Sequence, residues 1–183
     1  MNSRDDSTRP TVIVCGAVNS GAVRLVANSL SAGGLPARTN CLIEEGSYRS
    51  NGSRGRVSRW LLRLRIQAEY PLRLFWTACR AKRNDVFVVT TNPFFALFAV
   101  KAGSLLSHAR SIWLVHDLYP EALEAAGYLP PKGFAAALLG RLTSFGFRIA
   151  DGVVFLGERL QQEARNRWGN PKLSAVKIGR AHV

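Results

Sequence analysis

The chain has 183 residues, of which 47% are hydrophobic and 20% charged, and its formal net charge is +13. These proportions are ordinary for a globular domain and exclude an intrinsically disordered chain. The longest apolar stretch, from Pro93 to Val100, is far shorter than the roughly 18 residues that a membrane-spanning helix needs. The length suffices for one domain with a substantial core, and the excess positive charge points to a partner that carries phosphate.

The two ends of the chain differ in composition from the rest. The first ten residues, MNSRDDSTRP, are polar and lack the apolar region of a signal peptide, so we expect a disordered tail at 1–10. Residues 178–183 resemble the translation of a sequencing adapter, and a natural basic tail is the alternative. The sequence therefore predicts one folded domain at 11–177.

Three cysteines, Cys15, Cys41 and Cys79, have a spacing that matches no metal site. Cys15 lies in an apolar run, which predicts a buried thiol. Together with the missing signal peptide, these cysteines are consistent with a reducing cytoplasm, and we expect no bound metal.

Short apolar runs alternate with helical segments from residue 11 onward. Strands are predicted at 11–18, 37–43, 85–91, 111–117, 152–157 and 173–178. The segments between them are helical in composition, and Pro71 is expected to kink or split the helix at 57–83. Because the strands are continuous apolar runs, we predict a parallel sheet with helices on both faces, which is a Rossmann-like α/β domain.

Much of the positive charge lies between Arg49 and Arg83, where ten Lys or Arg residues accompany one acid, Glu69. An apolar set is interleaved with these charges: Trp60, Leu61, Leu64, Leu72, Phe75 and Trp76. A basic amphipathic helix can lie in the headgroup layer of an anionic membrane, and we predict such docking here. The predicted docking residues are Arg56, Arg59, Trp60, Arg63 and Arg65. The alternatives are a core position for the apolar set and a merely solvated face for the arginines.

Polar groups follow three of the predicted strands, at the carboxyl ends where ligands bind in an open parallel sheet. The first group is the loop GAVNSG, Gly16 to Gly21, whose glycines let backbone N–H groups approach an anion or a sugar. The second is Thr90-Thr91-Asn92-Pro93, whose hydroxyl and amide groups can bond a polyhydroxyl ligand. The alternatives are a plain turn for the first loop and a helix N-cap by Thr91 or Asn92 for the second.

The third group is HDLYPE, His116 to Glu121, where Pro120 takes the first position of the next helix. A histidine at this point can donate a hydrogen bond to a sugar hydroxyl or stabilise developing charge. The alternative is a buried, satisfied His116 with an N-cap at Asp117 or Tyr119. The predicted catalytic residues are His116 and Asp117, and the predicted sugar-binding residues are Gly16, Asn19, Ser20, Gly21, Thr91, Asn92 and Glu121.

The segments VVTTNPFF, WLVHDLYPEAL, GYL and RIADGVVFLGERLQQEA together resemble the amino-terminal domain of family 4 glycosyltransferases. Bacterial enzymes that build lipopolysaccharide, capsule and other exopolysaccharides are the most similar. The resemblance is good from Asp85 to about Ala164 and loose from Thr11 to Arg83. It implies a GT-B fold of two Rossmann-like domains, in which the amino-terminal domain holds the acceptor and the carboxyl-terminal domain holds the nucleotide-diphosphate sugar.

The resemblance also implies a transfer that retains anomeric configuration and needs neither metal nor cofactor, since the sugar nucleotide is a substrate. His116 matches the family's active-site histidine, and the loop from Gly16 to Gly21 matches its first glycine-bearing loop, which is often richer in glycine and proline. The paired glutamates of the family's donor half, E-x7-E, are absent. We therefore expect that the donor domain is missing and that this chain alone is inactive.

The expected function of the full protein is hexosyl transfer to a lipid-linked or glycan acceptor at the cytoplasmic face of the cell membrane. One alternative is a basic, non-enzymatic α/β module that binds nucleic acid. The aromatic residues of the basic segment lie among leucines and do not form a stacking surface, so we expect no nucleic-acid partner. The other alternative is a separate acceptor-side subunit of a split glycosyltransferase.

Overall fold

The structure, a computed structural model, describes residues 10–47, 56–130, 133–171 and 174–176. The expectations for the amino-terminal tail, apart from Pro10, and for residues 178–183 lie outside this part of the chain. Two compact units are present, Met1–Ser111 and Ile112–Val183. Six parallel strands and the helices that flank them confirm the predicted Rossmann-like α/β class.

The first unit contains three parallel strands with β1 (Val12–Cys15) in the middle. β1 pairs on one side with β3 (Ala37–Asn40) and on the other with β5 (Val86–Thr90). All four residues of β1 are buried, because both edges and both faces of this strand are covered. Burial on every side requires the continuous apolar run VIVC, which is the pattern that predicted the strand.

Two very short strands form a second parallel pair, β2 (Val18–Asn19) and β4 (Ile43–Glu44). The predicted strands at 11–18 and 37–43 are therefore each interrupted. The carbonyl of Ala17 accepts hydrogen bonds from the N–H groups of Leu42 and Ile43, both at 3.0 Å. These bonds tie the loop that follows β1 to the segment that follows β3.

The long helices of the first unit are α1 (Gly21–Ala32), α2 (Arg56–Cys79) and α3 (Ala96–Ser107). α1 packs against β1 and β3, and α2 packs along α3. Of the two effects expected of Pro71, a split of the helix is wrong, because α2 continues through this residue, and a kink stays a prediction. Proline removes only one helical N–H donor, and packing on either side of it compensates, since Tyr70 and Leu74 are both fully buried.

One face of α2 belongs to the core of the first unit. Its buried residues recur every four positions: Ile66, Tyr70, Leu74 and Ala78. Gly103 of α3 lies directly against this helix. A Cβ atom at Gly103 would come within 2.4 Å of the Phe75 carbonyl oxygen and 2.7 Å of the Ala78 Cβ atom. The two helices are therefore so close that only glycine fits at this point.

The opposite face of α2 is apolar but exposed. Leu61, Leu64, Leu72 and Trp76 are 53%, 50%, 63% and 56% exposed. We call these four residues the apolar stripe. The alternative that places the apolar set in the core is wrong for these four residues, because they are exposed and the core is formed by the other face of the helix. Phe75 is half-buried, and the side chain of Trp60, the remaining member of the set, lies outside the described residues.

The second unit also contains parallel strands: β6 (Arg110–Val115), whose first two residues belong to the first unit, β7 (Gly152–Phe155) and β8 (Ser174–Val176). Its helices are α4 (Glu121–Ala125), α5 (Phe134–Ile149) and α6 (Glu158–Trp168). The ring of Phe147 contacts three other aromatic rings, with centroid distances of 5.0 Å to Trp113, 5.9 Å to Phe155 and 5.6 Å to Trp168. These rings hold α5, α6 and the strands of this unit together.

Candidate functional site

Two residues of the loop from Gly16 to Gly21 stabilise the start of α1. A Cβ atom at Gly16 would lie 2.6 Å from Val23 Cγ2, so glycine is needed where α1 packs against the end of β1. Ser20 is the N-cap of α1, and its hydroxyl accepts a hydrogen bond from the Val23 N–H at 3.5 Å. Gly21, by contrast, is exposed and has no atom within 4 Å of an added Cβ, so the space beside it is open.

Asn19, a predicted sugar-binding residue, is bonded within the protein. Its Nδ2 donates to both carboxylate oxygens of Glu44, at 3.1 and 3.0 Å. Its Oδ1 atom is buried and has no hydrogen-bond partner in the described residues. The bidentate contact fixes the amide, and because Oδ1 is buried, this remaining acceptor is not accessible to a ligand in the present arrangement.

The end of β5 lies beside the first loop. An added Cβ at Gly16 would also be 3.7 Å from Thr90 Oγ1, which itself donates to the Asn92 carbonyl at 3.0 Å. Thr91 is buried and Asn92 is exposed, and a cis peptide bond joins Asn92 to Pro93. The N-cap of α3 is Phe95, without a side-chain bond, so the N-cap interpretation of Thr91 or Asn92 is wrong. The structure thus brings the first two groups of predicted residues together.

His116 follows the last residue of β6 directly and is half-buried. Burial lowers the pKa of its imidazole below the ordinary value of 6.5, and the nearby Asp117 carboxylate opposes this effect more weakly. The ring is therefore neutral near pH 7. A neutral imidazole has one N–H donor and one acceptor nitrogen, so it can donate a hydrogen bond without adding charge to the site.

The rest of the HDLYPE segment is fixed by contacts within the second unit. The Thr143 hydroxyl of α5 donates to the Tyr119 carbonyl at 2.9 Å, and a cis peptide bond joins Tyr119 to Pro120. Pro120 is the N-cap of α4 rather than its first residue, and no side chain caps this helix. The alternative that gives Asp117 or Tyr119 the N-cap is therefore wrong, and the exposed Asp117 carboxylate stays a candidate.

Glu121 forms an ion pair with Arg167 of α6. The same guanidinium also contacts Glu163, at 2.7 Å, and these contacts raise the pKa of Arg167. Sequence analysis missed Arg167, because 46 residues separate it from Glu121 and no local pattern links the two. Glu121 Oε2 is buried without a hydrogen-bond partner in the described residues, so only part of this carboxylate is committed to the ion pair.

Two of the predicted docking residues have described side chains. Arg65 is exposed and forms an ion pair with Glu69, one turn further along α2. Arg63 is exposed but precedes Ile66 by three positions, so it lies on the face of α2 that carries the core residues and not beside the apolar stripe. The side chains of Arg56, Arg59 and Trp60 lie outside the described part of α2. Two further exposed arginines, Arg73 and Arg80, lie along one flank of the stripe.

Within the described residues, no helix is both long and apolar enough to cross a bilayer. The same residues contain no group of three His, Cys, Asp or Glu side chains placed to hold a metal ion. Cys15 is fully buried, which confirms the predicted core thiol, and burial raises its pKa.

The fold and the polar strand ends define a Rossmann-like α/β protein with candidate ligand-binding groups after β1, β5 and β6. The chain is similar to the "Probable glycosyltransferase WbjE" of Pseudomonas aeruginosa, with 30% identity over 146 residues. The match covers 78% of this chain and 36% of that protein, so the chain spans about a third of its relative's length. No protein-family model matches the chain. The similarity supports a glycosyltransferase role.

Proposed function

We propose that the chain is the acceptor-side half of a retaining GT-B glycosyltransferase of family 4. In this proposal the complete protein transfers a hexose from a nucleotide-diphosphate sugar to a lipid-linked or glycan acceptor, as in polysaccharide or lipopolysaccharide synthesis. The similarity to a probable glycosyltransferase over most of the chain carries the proposal. The donor-binding half is expected to lie outside these 183 residues.

His116 has the properties that this chemistry requires. The bond between the sugar and the nucleotide diphosphate breaks with charge development, and a positioned donor stabilises that charge in proportion to how well it is fixed. A half-buried imidazole kept neutral by burial is such a donor. Asp117 is next to it and exposed, where its carboxylate can orient a sugar hydroxyl. Gly21 and Asn92 are the predicted sugar-binding residues with the most accessible polar groups.

A transfer assay with the complete enzyme tests this role. We expect His116→Ala to lower the rate of sugar transfer by about 10²-fold, which is the usual effect of removing one positioned donor to a developing charge. His108→Asn is the matched control, since His108 is exposed and its left-handed φ of 59° suits asparagine. Equal rates for wild type and His116→Ala would contradict the proposed role. This chain alone is expected to bind UDP- and GDP-sugars weakly, so micromolar binding by calorimetry would contradict the assignment to an acceptor-side half.

We further propose that α2 docks the protein on the anionic, cytoplasmic face of the cell membrane. The observation that favours docking is the exposure of the apolar stripe, which a soluble surface helix would bury or replace by polar residues. Arg65, Arg73 and Arg80 lie along one flank of this stripe and supply the charge that anionic headgroups attract. Docking would then bring the proposed active site to the membrane surface, where a lipid-linked acceptor is held.

A further inference from the structure

Two adjoining cavities lie beside the carboxyl-terminal half of α2. One, of about 260 Å³, is lined by Arg38, Thr39, Asn40, Cys41, Arg73 and Thr77. The other, of about 440 Å³, is lined by Arg73, Trp76, Thr77 and Arg80. Because they share Arg73 and Thr77, they form one depression, which we call the arginine groove. It lies between the edge of β3 and α2, within the first unit.

The charge of the arginine groove is one-sided. Three guanidinium groups line it, those of Arg38, Arg73 and Arg80, and the described lining residues include no carboxylate. Glu69 is near enough for Arg73 to affect its pKa, but this carboxylate is hydrogen-bonded to Arg65. Burial raises the pKa of the Cys41 thiol, so this group adds no negative charge. The carboxylate of Glu44 is close enough to Cys41 to raise the pKa of that thiol further, but it accepts both hydrogen bonds of the Asn19 amide and does not line the groove. Among the described lining residues the groove therefore presents only positive charge.

The walls of the groove are held together by a chain of hydrogen bonds. The Tyr70 hydroxyl donates to the Asn40 carbonyl at 2.6 Å, and Asn40 Nδ2 donates to Thr77 Oγ1 at 3.4 Å. Thr77 in turn donates to the Arg73 carbonyl at 2.8 Å. The first two of these bonds join β3, which carries Arg38, to α2, which carries Arg73. A site with preset walls loses less freedom on binding than a mobile surface patch.

We propose that the arginine groove binds a phosphate or diphosphate group. Guanidinium groups bind phosphate oxygens through paired N–H donors, and two of them that line one cavity can enclose one such group. Arg38 and Arg73 both line the smaller cavity of about 260 Å³, whose volume suits a compact anion such as phosphate or diphosphate. Trp76 lines the groove and also belongs to the apolar stripe, and the Arg80 guanidinium lies 5.8 Å from the centre of its ring.

The phosphate has two chemical sources, a lipid headgroup and a soluble phosphate ester. The position of Trp76, between the groove and the stripe, allows both. This inference goes beyond the proposed function and does not depend on it, because the groove either binds phosphate or does not, whatever reaction the protein performs. A transfer assay can therefore contradict the proposed function while the binding measurements support the groove. Binding measurements can likewise contradict the groove while the transfer assay supports the proposed function.

The first experiment titrates the chain with inorganic pyrophosphate by calorimetry at low salt. Arg38→Gln and Arg73→Gln should each weaken binding by about tenfold or more, the usual effect of removing one charged hydrogen-bond donor. Arg63→Gln is the matched control, since it removes the same charge from α2 at an exposed site away from the groove. It should change the affinity by less than about twofold, because only diffuse charge is lost. Thermal unfolding of each variant verifies that the fold is intact.

The second experiment measures co-sedimentation with vesicles of phosphatidylcholine that contain either phosphatidic acid or phosphatidylserine at matched surface potential. Arg38 is the residue to replace here, because it lies on β3 and not beside the apolar stripe. If the groove takes a lipid headgroup, Arg38→Gln should weaken binding to phosphatidic acid more than to phosphatidylserine. If it takes a soluble phosphate, this variant should lose pyrophosphate binding and keep its vesicle binding.

A defect of Arg38→Gln in either experiment supports the site and identifies its source of phosphate. The proposal is overturned if wild-type protein binds neither pyrophosphate nor phosphatidic acid. It is also overturned if Arg63→Gln weakens pyrophosphate binding as much as Arg73→Gln, because the attraction would then come from net charge alone.

Discussion

The hydroxyl of Tyr70 donates a hydrogen bond of 2.6 Å to the main-chain carbonyl of Asn40, 30 residues earlier in the chain. The same carbonyl accepts a weaker bond from the Gly16 N–H at 3.4 Å. Tyr70 is fully buried and burial raises its pKa, so the phenol stays protonated above its ordinary pKa of 10. One carbonyl thus joins α2, β3 and the loop that begins at Gly16.

We expect Tyr70→Phe to lower the free energy of unfolding by about 1 kcal/mol, because it removes this bond and keeps the ring. Tyr128→Phe is the matched control, since Tyr128 is 68% exposed and should change stability by less than about 0.5 kcal/mol. Urea unfolding followed by circular dichroism measures both. Equal stabilities for the two variants would mean that the bond to Asn40 contributes nothing.

Gly103→Ala should destabilise the protein although alanine favours helices. The new Cβ would be 2.4 Å from the Phe75 carbonyl oxygen and 3.0 Å from the Cys79 nitrogen, both of them backbone atoms that cannot move aside cheaply. Overpacking of this kind costs about 1–3 kcal/mol, which exceeds the gain of about 1 kcal/mol in helix propensity. Gly140→Ala in α5 is the control, since its Cβ would meet only Pro120 Cδ at 3.7 Å. Thermal unfolding should show a lower midpoint for the first variant and an unchanged or higher one for the second.

The lowered pKa of His116 predicts that the free energy of unfolding decreases as the pH is lowered. Above the ordinary histidine value of 6.5 the imidazole is neutral in both folded and unfolded chains, so its burial carries no proton-linked cost. As the pH falls below that value, the unfolded chain binds a proton first, and stability is lost until the folded-state pKa is passed. We therefore expect wild type to lose more stability than His116→Gln between about pH 7.5 and about pH 5.5. If urea unfolding shows the same loss of stability between these pH values for both proteins, His116 is not buried as described.

Vesicle co-sedimentation tests the docking face of α2. Leu64→Glu and Leu72→Glu each place a negative charge in the apolar stripe and should abolish binding to anionic vesicles, because a carboxylate is repelled by the surface and does not enter it. Leu105→Glu is the control, since Leu105 is 76% exposed on α3 and outside the stripe. High salt should weaken the binding of wild type by screening the arginines. If the chain stays in the supernatant with anionic vesicles at low salt, the docking proposal is wrong and the basic segment is only a solvated surface.

Glu121→Gln should lower the free energy of unfolding by up to about 1 kcal/mol, the upper range for a partly exposed ion pair. The Glu121 side chain is 24% exposed and its partner Arg167 is 48% exposed, so added salt should reduce the difference from wild type. Glu163→Gln is the comparison, since Glu163 pairs with the same arginine at 47% exposure and should matter less. A loss of transfer activity in Glu121→Gln without any loss of stability would instead favour the predicted contact with a sugar.

The order of strands and helices was predictable mainly because β1, β5, β6 and β7 are largely buried and read as apolar runs. The strand β3 differs, since it is polar and its Arg38 and Thr39 are exposed. The interruption of the first strand at Gly16 was not, since it depends on hydrogen bonds from Leu42 and Ile43 to Ala17. The continuity of α2 through Pro71 was missed for a similar reason. Local propensity counts the lost N–H of proline, but it does not register the packing of Tyr70 and Leu74.

The candidate site was predictable only where it is local. The strand-end positions of Thr91 and His116 follow from the sequence, because each comes directly after an apolar run. The partners of the predicted residues do not follow from it: Asn19 bonds Glu44, and Glu121 pairs with Arg167. The arginine groove was missed entirely, since Arg38 and Arg73 belong to separate elements and neither stands in a recognisable motif.

Trp76 gives this protein an optical probe at the place where ligands are proposed. Its indole is 56% exposed and lies beside the Arg80 guanidinium, whereas the indole of Trp113 is only 1% exposed. The chain has four tryptophans and Trp168 is only half-buried, so the experiment uses a variant in which Trp60 and Trp168 are replaced by phenylalanine. In that variant an aqueous quencher such as iodide should quench the fluorescence of Trp76 and not that of Trp113. Because guanidinium groups concentrate anions around the Trp76 ring, the ratio of iodide quenching to acrylamide quenching should be higher than for free tryptophan. Occupation of the groove or insertion of the stripe into lipid would remove that preference, so one fluorescence titration can follow either event without any label.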